Sequence, residues 1–131
     1  LCCQDAQLDY LRNMLATFPG LSIDLAATFQ YFYLVDRENL REFMIDYDDR
    51  ILFGTDISRV PDEQIGERVQ QYFQCFQILE TDEEVPGGFF GQNPTQGLAL
   101  PQEVLEKIYW RNAARIYPAV GEQLKSLGYA A

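Results

Sequence analysis

The sequence predicts an α/β fold in which two parallel strands are connected through a helix. The strands are predicted at residues 21–27, where large apolar residues alternate with small or polar ones, and at residues 51–53, a continuous apolar run. About thirty residues separate the two starts, and the segment between them has helical periodicity. This is the pattern of a βαβ unit, whose right-handed crossover keeps the strands parallel.

Two amphipathic segments predict helices beside these strands. The first begins after Asp5, an N-cap residue, and stops before Pro19. The second begins after Asp36, and its apolar residues recur with the period of a helix. The predicted apolar face of the first helix is Leu8, Leu11 and Leu15, widened by Tyr10, Met14 and Phe18. The predicted face of the second is Leu40, Phe43, Met44 and Tyr47.

Three more helices are predicted in the second half of the chain. A long amphipathic helix starts near Pro61 and ends at about Leu79. Residues 80–97, rich in acids, glycine and proline, are predicted to form a loop. Pro101 opens a helix that continues to Ile116, and a terminal helix covers residues 121–127. The predicted buried stripe of the long helix is Ile65, Val69, Tyr72, Phe73 and Phe76.

Composition excludes several classes of partner. The chain has 131 residues, of which 47% are hydrophobic, so it is one globular unit rather than a disordered chain. Its net charge of −10 would repel a phosphate backbone and an anionic membrane surface, which argues against a nucleic-acid or membrane partner. Three cysteines, two of them adjacent, are a poor disulfide framework and slightly favour a reducing, cytoplasmic location.

Two strands cannot bury both faces and both edges of a sheet, and the unpaired edges of apolar strands are sites of association. An eight-stranded α/β barrel takes about 250 residues. We therefore expect residues 1–131 to be the C-terminal part of one TIM-like (β/α)8 barrel domain, with its last two βα units and closing helices. The alternative is a non-catalytic α/β interaction module that pairs its exposed edges with a partner. Homo-oligomerisation is open in either case.

Three stretches resemble the end of a known enzyme family. They are DRILFGTD at residues 49–56, LPQEVLEKIY at 100–109 and NAAR at 112–115. In this order and spacing they are similar to the C-terminal portion of amidohydrolase-related (amidohydrolase 2) metal-dependent hydrolases. The resemblance covers nearly the whole chain, and it matches residues 21–27 and 51–56 to the seventh and eighth barrel strands.

The resemblance implies an enzyme that hydrolyses an ester, amide or lactone in a small-molecule substrate through metal-activated water. Decarboxylation is the family's other reaction. The family's site uses a His-x-His pair, later histidines and an aspartate that ends the eighth strand; only the aspartate, Asp56, is present, because the chain has no histidine. A divalent metal, zinc by preference, would therefore need ligands absent from this chain, and the chain alone is expected to be inactive.

Asp56 is thus the candidate metal ligand and catalytic residue. It would ligate the metal or accept a proton from water that the metal acidifies. The alternative is that Asp56 caps the helix or turn after the strand. Two departures from the family, Thr28 in place of arginine and Ile57-Ser58 in place of x-Pro, leave the substrate class undetermined.

Other acidic and aromatic residues have more ordinary expected roles. Asp24 could point into a barrel mouth, but an interior-lining or salt-bridged carboxylate is the expected role. The acidic residues 82–84 could approach a metal or substrate, but they are expected to be solvated. Cys75 is expected at the margin of the long helix's apolar face. Tyr31, Phe32 and Tyr33 are expected in the core between helix and sheet rather than in a stacking platform.

Overall fold

The computed structural model describes residues 7–57, 61–87 and 93–129. Within these ranges the chain is an α/β protein in which helices dominate and the strands form two small sheets. The first sheet contains β1 (Ile23–Asp24) and β2 (Ile51–Leu52). The second contains β3 (Glu84–Val85) and β4 (Thr95–Gln96).

Six α-helices accompany the strands in the described residues. They are α1 (Leu8–Thr17), α2 (Arg37–Asp46), α3 (Ile65–Glu80), α4 (Gln102–Glu106), α5 (Asn112–Ile116) and α6 (Pro118–Ser126). Short 3₁₀ helices occupy Phe29–Leu34 and Asp62–Gln64, and a π-helical turn, Lys107–Arg111, joins α4 to α5. None of the helices in the described ranges is long and apolar enough to cross a membrane.

The predicted βαβ unit is present. Strands β1 and β2 pair in parallel, with Ile23 opposite Ile51 and Asp24 opposite Leu52, and α2 lies between them in the sequence. The strands are shorter than residues 21–27 and 51–53 would give. The Asp24 side chain accepts a hydrogen bond from the Ala26 backbone N–H at 2.9 Å, so the chain turns immediately after β1.

Helix α2 buries the face predicted for it. Helix α1 buries only the central stripe of its predicted face, because Tyr10 and Phe18, which were expected to widen that face, are exposed. The buried residues are Leu8, Leu11 and Leu15 on α1, and Leu40, Phe43 and Met44 on α2, with Tyr47 half-buried against them. Asp36 caps α2, because its carboxylate accepts a hydrogen bond from the Asn39 backbone N–H at 2.9 Å. Arg12 pairs with Asp46 at 2.9 Å and joins the two helices. The proposed cap at Asp5 lies outside the described residues.

The predicted buried stripe of α3 is wrong. Ile65, Val69, Tyr72 and Phe73 are all exposed, with Phe73 at 62%, and only Phe76 is half-buried. The helix instead buries its other side, at Gln71, Cys75, Ile78 and Leu79. Cys75 is wholly buried rather than marginal, and burial raises its pKa to about 12. The prediction failed because no described element covers the stripe.

Three smaller expectations also need correction. Tyr31 and Tyr33 are exposed at the 3₁₀ turn, so only their neighbour Phe32 belongs to the core. The predicted loop at residues 80–97 contains the antiparallel pair β3–β4. The terminal helix begins at Pro118 rather than residue 121, since proline is well suited to the first helical position.

The outer edge of β2 is bonded to the π turn. In that turn the Asn112 backbone N–H donates to the carbonyl of Lys107, five residues earlier. The Ile108 carbonyl therefore does not accept the bond that it would accept from Asn112 in a regular α-helix. This carbonyl accepts a hydrogen bond from the Phe53 N–H at 2.9 Å. The Asn112 side chain then donates to the carbonyl oxygens of Asp48 at 2.7 Å and Ile51 at 2.8 Å. The sequence led us to expect this edge to lack partners; in the structure a helix supplies them.

Replacing Asn112 with alanine should destabilise the fold. Asn112 is buried, and its loss would leave the Ile51 carbonyl without this donor, at a cost of about 2 kcal/mol in unfolding free energy. Urea denaturation followed by circular dichroism measures the change. Asn13→Ala, at an exposed position on α1, is the matched control and should change stability by less than about 0.5 kcal/mol. Equal effects of the two substitutions would contradict this role.

Candidate functional site

The carboxyl ends of β1 and β2 lie side by side. Parallel strands end at the same edge of their sheet, so residues 26–28 and 54–57 form adjacent loops there. A Cβ placed on Gly54 would lie 3.3 Å from the Ala26 Cβ, tighter than most such contacts. Glycine therefore allows the two loops to approach each other at this edge.

Asp56 is at this edge and is exposed. Its side chain forms no ion pair or hydrogen bond with any other residue in the described ranges. Its backbone has φ 61°, a left-handed conformation that aspartate tolerates better than most side chains. The Asp56 carboxylate is therefore accessible to solvent, and its residue has a backbone conformation that residues other than glycine rarely adopt.

The capping alternative for Asp56 finds no support at the described helices. The 3₁₀ helix Asp62–Gln64 follows Pro61, and the N-cap position of α3 is Gln64. Both positions come well after Asp56, so it is the N-cap of neither helix.

Two buried threonines shape the loops beside Asp56. The Thr55 hydroxyl accepts a hydrogen bond from the Ile57 backbone N–H at 3.3 Å, and the Thr28 hydroxyl donates to the Leu25 carbonyl at 2.7 Å. Both hydroxyls are engaged with local backbone, which is a structural role. Thr28, the residue expected to replace the family's arginine, offers no cation here.

Asp24 has a different environment from the one expected. It is exposed, it forms no ion pair with a described residue, and its carboxylate holds the turn at Ala26. By register it shares one sheet face with Leu52, while Ile23 and Ile51 share the buried face. No described residue supplies the expected salt bridge, and Asp24 is a second exposed carboxylate on the same small sheet.

An aromatic cluster supports β2 just before the site. The Phe53 ring stacks on Phe76 with centroids 5.3 Å apart and meets Tyr109 edge-on at 5.4 Å. The Tyr109 hydroxyl donates to the Glu80 carboxylate at 2.8 Å, and burial raises its pKa, so the phenol stays protonated. No local pattern indicates a role for Tyr109, because its partners lie in two distant segments: Phe53 after β2, and Phe76 and Glu80 on α3.

The described residues do not make up a metal site by themselves. No group of three or more His, Cys, Asp or Glu side chains among residues 7–57, 61–87 and 93–129 could hold an ion. A carboxylate oxygen suits a divalent metal as one ligand, and Asp56 fits that description. The acidic residues 82–84 are exposed, as expected for a solvated run.

The chain was compared with known protein families. The family model described as Amidohydrolase matches residues 4–119, which is most of the chain. The chain belongs to the amidohydrolase family. Comparisons with individual curated proteins and with solved structures give no match.

Membership confirms the resemblance seen in the sequence and fixes the broad class of the protein. Amidohydrolases are TIM-barrel-like enzymes that act on small molecules and generally use divalent metals. This supports a hydrolase function of the amidohydrolase superfamily for the protein.

Replacing Asp56 with asparagine should leave stability unchanged within about 0.5 kcal/mol, because the carboxylate is exposed and asparagine also tolerates a positive φ. Asp36→Ala provides the contrast, since it removes the α2 cap and should cost about 1 kcal/mol. Urea denaturation of both variants tests the expectation. A large loss of stability in Asp56→Asn would show that the residue has a structural role.

Proposed function

We propose that residues 1–131 are the C-terminal portion of a single (β/α)8 barrel domain, with its last two βα units and closing helices. We further propose that Asp56 is a metal ligand and catalytic residue for hydrolysis of an ester, amide or lactone. The observation that carries the proposal is the position of Asp56: an accessible carboxylate, free of ion pairs with described residues, at the carboxyl end of a parallel strand. Family membership supports the same assignment.

The exposed stripe of α3 supports an incomplete barrel. Ile65, Val69, Tyr72 and Phe73 form a continuous apolar face, and such faces on helices normally pack against a neighbouring element. In a barrel, the helix after one strand packs against the sheet and the adjacent helices. Further βα units would cover this stripe.

The π turn places a condition on barrel closure. A closed barrel pairs its last strand on both edges. The Phe53 N–H is bonded to the Ile108 carbonyl, and the Ile51 carbonyl is bonded to Asn112. A first barrel strand could pair with β2 at Phe53 only if the hydrogen bond between the Phe53 N–H and the Ile108 carbonyl were broken.

In the proposed site Asp56 would offer a carboxylate oxygen as one ligand or hold a proton removed from water. A bound divalent metal, which we propose to be zinc, supplies the acidity that makes water a nucleophile near neutral pH. The remaining ligands would be imidazoles from outside residues 1–131, because this chain contains no histidine.

Asp56→Asn should reduce hydrolysis by about 10²- to 10⁴-fold in the complete polypeptide translated from the gene, the range expected for loss of a positioned proton acceptor. The measurements are turnover of ester, amide and lactone substrates, and metal content by mass spectrometry. Asp62→Asn, an exposed aspartate six residues further on, is the charge-matched control and should retain full activity. Undiminished hydrolysis in Asp56→Asn would refute the proposal, and release of carbon dioxide would identify a decarboxylase instead.

The isolated 131-residue chain should bind far less than one equivalent of zinc and show no hydrolysis. One carboxylate is too few ligands for a tight zinc site, which normally takes four. Zinc content after equilibrium dialysis tests this, with the complete polypeptide measured in parallel. Stoichiometric binding by the 131-residue chain would contradict the expectation.

The second candidate is a non-catalytic α/β interaction module. It is favoured by the exposed apolar stripe of α3, which a partner could cover, although the outer edge of β2 is bonded within the chain. The sequence encoded upstream of Leu1 separates the two candidates. A His-x-His pair and further histidines there support the enzyme, and their absence supports the module.

A further inference from the structure

A basic cleft lies beside the turn that precedes β2. The π turn and α5 form one side of it, and α6 forms the other. Its volume is about 570 Å³. Four of the chain's ten basic residues line it, including both lysines, whereas two acidic residues do so. The charged residues that line the cleft are Lys107, Arg111, Arg115, Lys125, Asp49 and Glu122. Among the residues that line the cleft, cations outnumber carboxylates, which is the reverse of the balance in the whole chain.

The π turn helps to bring three of these cations to one wall. Lys107, Arg111 and Arg115 are spaced four residues apart. In a regular α-helix, each step of four residues moves the side chain about 40° around the axis. The first of these four-residue steps, from Lys107 to Arg111, spans the π turn, which holds more residues per turn than an α-helix. This opposes the rotation of about 40° that each step would add in a regular α-helix. The three side chains therefore face the same cleft rather than fanning around the helix.

The positive charge of the cleft is only partly neutralised. Lys107 pairs with Asp48 at 2.8 Å and Arg111 pairs with Glu106 at 2.7 Å. Arg115 donates to the backbone carbonyl of Asp49, a neutral group that leaves its charge uncompensated. Lys125 forms no ion pair with another residue in the described ranges. Arg115 and Lys125, two exposed cations on opposite walls, are thus available to an anion, and they share the cleft with the carboxylates Asp49 and Glu122.

The two walls are held close together. A Cβ on Gly121 of α6 would lie 2.8 Å from the carbonyl oxygen of Ala114 on α5, so the helices touch backbone to backbone. On the α5 side, the buried Asn112 amide is bonded to the carbonyls of Asp48 and Ile51. The cations of α5 therefore project from a helix fixed to the sheet, which limits the entropy that binding must overcome.

We infer that this cleft binds a small anion bearing phosphate groups. Arginine presents paired N–H donors that match phosphate oxygens, and lysine adds a compact charge. The acidic surface elsewhere would repel an extended polyanion such as a nucleic acid, so the ligand is a small molecule. The cleft lies at the end of β2 opposite to Asp56, so the inference is independent of the proposed catalytic function.

The test is calorimetric titration of pyrophosphate into the complete polypeptide translated from the gene, at constant ionic strength. Saturable one-site binding is expected. Arg115→Gln and Lys125→Gln should each weaken it by at least about five-fold, since each removes a contact to a charged group. Arg12→Gln is the charge-matched control, because Arg12 pairs with Asp46 away from the cleft. It should leave the dissociation constant within a factor of two.

Three results would overturn the inference. They are an absence of saturable binding, equal weakening by Arg12→Gln and Arg115→Gln, and tighter binding of citrate than of pyrophosphate, which would assign the cleft to polycarboxylates. Circular dichroism of each variant establishes that it is folded. Binding that persists in Asp56→Asn would further support a site separate from the proposed catalytic residue, whereas loss of binding there would contradict that separation.

Discussion

The Asn112 amide and the π turn beside it organise the second half of this chain. Two short strands give few backbone hydrogen bonds, and unpaired polar groups at a buried edge are costly. The Ile108 carbonyl, released by the π turn, and the Asn112 side chain satisfy groups at the edge of β2. The same turn places Tyr109 against Phe53. One irregularity in a helix thus fixes the sheet edge and supports the strand that leads to Asp56.

The two ends of β2 have different chemical character. The end before the strand has the cations Lys107 and Arg115 close to Asp48 and Asp49, whose backbone carbonyls are bonded to Asn112 and Arg115. The end after the strand has Asp56 at a positive φ, with no ion pair to a described residue. Aspartate at a positive φ is tolerated rather than preferred, and such positions are concentrated at functional sites. This agrees with the family assignment, under which the carboxyl end of the strand is the active end.

Local patterns predicted the parts of the fold that depend on local interactions. The Asp36 cap, the buried face of α2 and the parallel arrangement of β1 and β2 all follow from residue types and spacing. The strands were predicted too long because the Asp24 side chain competes for the backbone. The buried side of α3 could not be predicted, since periodicity identifies an apolar face but not whether another element covers it. The π turn has no local signature, and the role of Asn112 depends on carbonyls sixty residues away. Asp56 was found because a strand ends beside it, but its proposed co-ligands are not encoded in residues 1–131.

The apolar face of α3 has a physical consequence for the behaviour of the polypeptide in solution. An aromatic surface that includes Phe73 favours self-association, while a charge of −10 opposes it. Added salt screens the repulsion over a Debye length of about 8 Å at physiological ionic strength, yet it does not weaken apolar attraction. The colloidal stability of these residues, when nothing covers that helix, therefore rests on electrostatic repulsion and declines as ionic strength rises.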